Sequence, residues 1–163
     1  MNESTAEVLN QCSYPGFPPE WRDAVGPNHA RYACMLVAYT MLPYWHRRHM
    51  QFSHEMFMSQ WPEFDSLLRF DNGKPTGVIA WSILDETHCH LRELHLDDDL
   101  RGQGKGSEVL NAWIEYCRSR QIKRLTLKVF AENPARRLYE RMGFEIFAEE
   151  DHVANLLKMQ RFL

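Results

Sequence analysis

The residue spacing that bears on chemistry runs from 94 to 107, Leu-His-Leu-Asp-Asp-Asp-Leu-Arg-Gly-Gln-Gly-Lys-Gly-Ser. Gly102, Gly104 and Gly106 alternate there, so the backbone can turn several N–H groups toward one point and a ligand can approach where a Cβ would stand. Arg101 and Lys105 bring positive charge, and a helix starting at this turn adds unpaired N–H groups and its positive dipole end. Such a loop suits a diphosphate. A Walker A loop requires Ser or Thr directly after Gly-Lys, but Gly106 follows Lys105. A dinucleotide fingerprint requires a third glycine where Ser107 stands.

The elements that must position this loop follow from periodicity. A strand over 66–70, the turn Asp71-Asn72-Gly73-Lys74 and a strand over 76–84 predict a β-hairpin, and a third strand over 89–96 extends it into an antiparallel meander that feeds the loop. Val109, Leu110, Trp113, Ile114 and Cys117 recur at helical spacing within 104–120, and Leu125, Leu127 and Val129 alternate within a strand over 124–130. Strand, helix and strand imply a crossover that leaves its two strands parallel. Asn133 and Pro134 start a helix with Ala135, Leu138, Tyr139 and Met142 on one stripe, and Gly143 ends it. Residues 144–148 and 155–159 suggest a last hairpin.

Upstream, 29–42 reads as a helix apolar on nearly all sides, to be ended or kinked by Pro43, and Ser53 caps a short helix through Gln60. Residues 1–28, punctuated by Pro15, Gly16, Pro18, Pro19, Gly26 and Pro27, are expected to form an extended arm on a single domain over 29–163.

Two motifs now agree in order and spacing. Arg101-x-x-Gly104-x-Gly106, preceded by Leu94 and Leu96, resembles the pyrophosphate-binding signature of the GNAT acyl-CoA N-acyltransferases. Asn133-Pro-Ala135-Arg-Arg-Leu138-Tyr139-Glu-Arg-Met-Gly143-Phe144 resembles the Asn-x-x-Ala-x-x-Leu-Tyr-x-x-x-Gly-Phe segment of the same superfamily. The resemblance covers 66–159 and implies an α/β GNAT fold: a mixed, mostly antiparallel central sheet with a splayed parallel strand pair, flanked by helices. The family's opening strand is not recognisable from the residues.

The resemblance implies acetyl-CoA as acyl donor and an N-acetyltransferase that acts on a primary amine in a ternary complex. The backbone that takes the pantetheine arm falls on Leu94, His95 and Leu96, and the pyrophosphate loop on Arg101, Gly102, Gln103, Gly104, Lys105, Gly106 and Ser107. Asn133 matches the asparagine that contacts the cofactor arm, besides its capping role. Arg136 and Arg137 sit in the first turn of a helix, where cations are unfavourable unless an anion is near, which points one of them, Arg136 foremost, to a CoA phosphate. Tyr139 matches the tyrosine that protonates the departing thiolate; a phenol of pKa ~10 can serve a thiolate of roughly 8.5. For the base, His90 and Glu93 stand equal, because a bulge between them would change which faces the cleft. Asp98 departs from the family's frequent proline, and Asp97 to Asp99 are expected to point to solvent.

Composition bounds the rest. With 163 residues, 44% hydrophobic and 25% charged, the chain suits one globular domain; a formal charge of −3 gives no general attraction to nucleic acid or an anionic membrane. Cys12, Cys34, Cys89 and Cys117 lack C-x-x-C spacing and, with no export signal in the first dozen residues, read as reduced thiols of a cytoplasmic protein, monomer or homodimer. His88, Cys89, His90 and His95 invite a zinc reading, but strand alternation turns Cys89 away and no fourth ligand has finger-like spacing, so no metal is expected. The acceptor is not legible, and a non-catalytic acyl-CoA-binding or sensing domain is the competing class.

Overall fold

A computed structural model describes residues 11–163. Seven strands form one sheet in the order β1-β2-β3-β4-β5-β7-β6. They are β1 (Trp21–Asp23), β2 (Asp65–Asp71), β3 (Lys74–Ile83), β4 (His88–Leu96), β5 (Arg124–Phe130), β6 (Glu145–Glu149) and β7 (Leu156–Phe162). Every neighbouring pair is antiparallel except β4 and β5. Helices α1 (Gly26–His46), α2 (His54–Gln60), α3 (Lys105–Ser119) and α4 (Ala135–Arg141) flank it. The expected mixed sheet with one parallel pair is the observed one, and among the described residues no helix is long and apolar enough to cross a membrane.

Local chemistry explains most boundaries. Asn72 and Gly73 both have positive φ, 50° and 78°, the backbone of a two-residue hairpin turn whose twist matches the strands it joins. Ser53 Oγ accepts from the Met56 N–H at 3.1 Å and starts α2. Asn133 Oδ1 accepts from the Ala135 N–H at 3.0 Å at the start of α4, and Gly143 leaves that helix at φ 85°.

Two upstream expectations change. The expected arm holds a strand: Trp21 and its neighbours pair with β2 and supply the sheet's first edge, and α1 begins at Gly26. The turns before β1 pack inward, with the Tyr14 hydroxyl donating to Asp65 Oδ1 at 2.7 Å and Phe17 stacked on Trp81. The first ten residues of that arm lie outside the described residues. Helix α1 also runs through Pro43 to His46. The carbonyl that proline leaves without its usual intrahelical donor is that of Tyr39, a residue on the exposed side of the helix.

The sheet separates two apolar layers. Ile79, Trp81, Leu91 and Leu127 pack with Leu110, Trp113 and Ile114 of α3 on one face, while Leu68, Val78 and Ala80 pack with Ala33, Leu36 and Val37 of α1 and Phe57 of α2 on the other. A bulge interrupts β4: Ala80 faces Glu93 and Trp81 faces Leu91, so Arg92 is unopposed.

Candidate active site

β4 and β5 pair only at His88↔Arg124, Cys89↔Leu125 and His90↔Thr126, although both strands continue beyond. Past that point they separate around a cavity of about 570 Å³. Among the β4 residues bordering it, Glu93, Leu94, His95 and Leu96 pair with β3 along their other edge. Their edge toward β5 therefore offers backbone groups to a bound chain, and Leu94, Leu127 and Val129 supply apolar wall.

The glycine loop forms one end of this cleft, through Arg101, Gly102, Gly104, Lys105, Gly106 and Ser107. Gly102 and Gly104 have φ of 75° and 74°, and nothing lies within 4 Å of where their Cβ atoms would be. None of the N–H groups of residues 102–107 donates to a loop or turn acceptor among the described residues, and the N-cap of α3, Gly104, has no capping side chain. Arg101 and Lys105 make only loose ion pairs, at 3.4 Å to Asp98 and 3.7 Å to Glu108. Unpaired N–H donors, two loosely paired cations and an apolar channel fit an acyl-CoA. Thr40 Oγ1 and His95 Nδ1, buried in the cleft wall without a hydrogen-bond partner among the described residues, add polar atoms a bound amide could satisfy.

The acidic run before the loop does not simply face water. The Tyr32 hydroxyl donates to Asp97 Oδ1 at 3.0 Å and the Tyr39 hydroxyl to Asp98 Oδ2 at 2.9 Å, so both carboxylates tie the loop to α1. Asp97 is thereby half-buried, which corrects its expected exposure, whereas Asp98 and Asp99 stay exposed as expected, Asp98 while accepting a charge-assisted hydrogen bond from Tyr39.

Glu93 and Tyr139 line the cleft from different elements, β4 and α4. Tyr139 is 6% exposed; burial, then the charge of Glu93, holds its hydroxyl above the ordinary phenol range. Glu93 Oε2 lies 2.6 Å from Nε2 of the buried His95. The bulge at Arg92 puts His90 and Glu93 on one face, since they oppose Ser82 and Ala80, two residues apart on β3. His90 does not reach the cleft. It lines a smaller adjoining cavity, where burial, then Arg92, Lys128 and His88, lower its pKa to about 4.

Asn133 also borders the cleft, but Arg136 and Gln103 do not: Arg136 Nε donates to Glu140 at 2.8 Å and Gln103 Nε2 to the Asp99 carbonyl at 2.7 Å. Arg141, one turn further along α4 than Arg137, is on the wall instead. Thr40, Tyr44 and Trp45 of α1 complete it. The sequence held only a faint signal for these three, because a helix apolar on nearly all sides does not announce which face meets a cleft. His88 Nε2 and His90 Nδ1 share Thr126 Oγ1, at 2.7 and 2.8 Å, and among the described residues no group of three His, Cys, Asp or Glu is placed to hold a metal.

The family model described as the acetyltransferase (GNAT) family matches residues 18–144. The chain belongs to the GNAT acetyltransferase family. An uncharacterized N-acetyltransferase of Methanocaldococcus jannaschii is 36% identical over 95 residues, 54% of this chain and 41% of that protein, so the match spans under half of that relative's length. The crystal structure of Ard1 from Thermoplasma volcanium has a TM-score of 0.70 at 20% identity, covering 88% of this chain and 96% of that one. A GNAT family acetyltransferase from Elizabethkingia anophelis with acetyl-CoA bound has a TM-score of 0.61 at 15% identity, covering 68% and 84%. The splayed strands and glycine loop of this GNAT chain are thus set in the fold shared by those proteins.

Proposed function

We propose that the chain is an acetyl-CoA-dependent N-acetyltransferase that acts on a primary amine by direct attack in a ternary complex, with Glu93 as base and Tyr139 as acid. The observation that carries this reading is the pairing of a carboxylate and a buried phenol on one cleft that leads from an open N–H cradle. Family membership and the acetyl-CoA-bound structural neighbour support it.

When bound, acetyl-CoA supplies an acetyl group activated as a thioester. The loop N–H groups of 102–107, with Arg101 and Lys105, would hold its diphosphate, and the free edge of Leu94, His95 and Leu96 its amide-bearing arm. Glu93, oriented by His95, takes the proton the attacking nitrogen must lose as the N–C bond forms. Tyr139 keeps its proton in the buried wall until the C–S bond breaks, and gives it to the departing sulfur. Proton exchange with solvent then restores both groups, and the net reaction of an ammonium releases one proton. His90 is set aside as base on position: it lines the smaller adjoining cavity, whereas Glu93 lines the cleft itself.

The test is thiol release from acetyl-CoA with amino acids, polyamines, arylamines and peptide N-termini, alongside calorimetry of acetyl-CoA binding. Binding with acceptor-dependent thiol release is the expected result. Binding with a flat panel favours a sensing domain, and absence of binding overturns the reading.

A further inference from the structure

The cavity beside the cleft, about 220 Å³, is walled by Phe57 and Gln60 of α2, by Phe64 and by His90. Its remaining wall, Leu91, Arg92, Glu93 and Lys128, is shared with the acyl cleft, so it opens onto the carboxylate named above as the base. That volume lies below the ~300 to 1,000 Å³ of sites for drug-sized ligands, so it suits a small molecule.

Its charges are unevenly committed. Glu93 is engaged by His95, and Lys128 pairs with Glu150. Arg92, the unopposed residue of the bulge, is held by its Nε donating to Ser82 Oγ at 3.0 Å and by the Phe64 ring, 5.4 Å from the guanidinium carbon. No carboxylate among the described residues pairs with it. A guanidinium fixed on two sides and left without its anion presents a fork that matches a carboxylate.

We propose that the acceptor is a small free amino acid with an apolar side chain: its amine reaches Glu93, its carboxylate pairs with Arg92, and its side chain lies against Phe57 and Phe64. This rests on the acetyltransferase reading and on Glu93 as base. Arg92 and Glu93 both line this small cavity, so an acceptor that pairs with both carries its anion and its amine on one small molecule, as an amino acid does. A polyamine would set a second cation against Arg92 and Lys128. In the transfer, the amine nitrogen bonds to the acetyl carbon as the C–S bond breaks, one proton passes to Glu93, and the sulfur leaves with the proton of Tyr139.

The experiment measures thiol release from acetyl-CoA with leucine, methionine and phenylalanine, with their amides, with isopentylamine and phenethylamine, and with spermidine. The amino acids are expected to exceed their amides and decarboxylated amines roughly 10- to 100-fold in kcat/KM, the scale of a lost charge-assisted hydrogen bond. Arg92→Gln should remove that preference through KM and leave kcat nearly unchanged. Calorimetry of the same compounds against the protein loaded with CoA reads the preference independently of turnover. Equal or better use or binding of the amides, amines or spermidine, absence of amino-acid binding, or a preference that survives in Arg92→Gln would overturn the proposal. Failure to bind acetyl-CoA at all would instead overturn the acetyltransferase reading on which it rests.

Discussion

Glu93 Oε2 and His95 Nε2 stand 2.6 Å apart on β4, and the other ring nitrogen of His95 is buried without a partner among the described residues. Through Nε2 the ring can donate to the carboxylate and hold it in place. The carboxylate is thereby aimed along the cleft that Tyr139 also lines. Glu93→Gln should lower kcat/KM by roughly 10²- to 10⁴-fold, the usual worth of a positioned base. His95→Ala should lower kcat less, and His95→Gln, which keeps a donor, should recover part of that loss. Steady-state kinetics of the three variants, with acetyl-CoA affinity measured alongside, checks this; a wild-type rate in Glu93→Gln removes it as base.

Tyr139→Phe removes one hydroxyl from a buried ring and keeps its edge contact with Phe144, whose centroid is 6.1 Å away. Turnover should fall about 10²-fold with little change in acetyl-CoA affinity. Since burial and Glu93 hold the phenol above its ordinary range, its proton stays in place through the alkaline assay range, and the wild-type rate should show no loss from this group below about pH 10. A pH–rate profile that falls earlier in wild type but not in Tyr139→Phe would contradict the assignment.

His90 makes a prediction about stability. Its folded pKa, about 4, lies below the ~6.5 of an unfolded imidazole, so the unfolded chain binds the extra proton first. The stabilisation is complete above pH ~6.5 and is lost as pH falls toward about 4. Thermal melts of wild type should therefore drop across that window. His90→Gln should flatten the drop without abolishing it, because His88, lowered by burial and Arg124, contributes with the same sign. An unchanged slope in the variant would mean that His90 charges as readily folded as unfolded.

What was legible in the sequence was what local chemistry decides. The Asn72-Gly73 turn set the β2–β3 hairpin, alternation set β5 over 124–130, and the glycine and Asn-to-Phe motifs located the loop and α4. What was not legible depended on distant partners. β1 is three residues long and is a strand because β2 pairs with it, so turn-rich composition concealed it. The relation of His90 to Glu93 depended on one extra residue in β4, at Arg92, which puts both on one face, so only their position along the strand separates them: His90 lies where β4 pairs with β5 and Glu93 lies past it, on the cleft. The α1 side chains of the cleft wall were likewise hidden, since only the tertiary fold says which side of an all-round apolar helix faces a ligand.

The glycine loop gives the last prediction. Gly104 sits at φ 74° on the border of the cleft with open space at its Cβ position, so a side chain there would strain the backbone and take up room beside the loop. The backbone cost of a left-handed non-glycine residue is about 1 to 2 kcal/mol, which for a chain of this size lowers Tm by only a few degrees. Gly104→Val should therefore remain folded while acetyl-CoA affinity falls at least about tenfold, a loss of roughly 1.4 kcal/mol or more. Arg101, exposed and only loosely paired to Asp98, should act through charge: Arg101→Ala weakens binding more at low salt than at high salt, because screening removes what the guanidinium supplies. Calorimetry at two ionic strengths separates the two mechanisms. Gly104→Val should lose affinity equally at both, and unchanged affinity in both variants would remove the loop from the acetyl-CoA site.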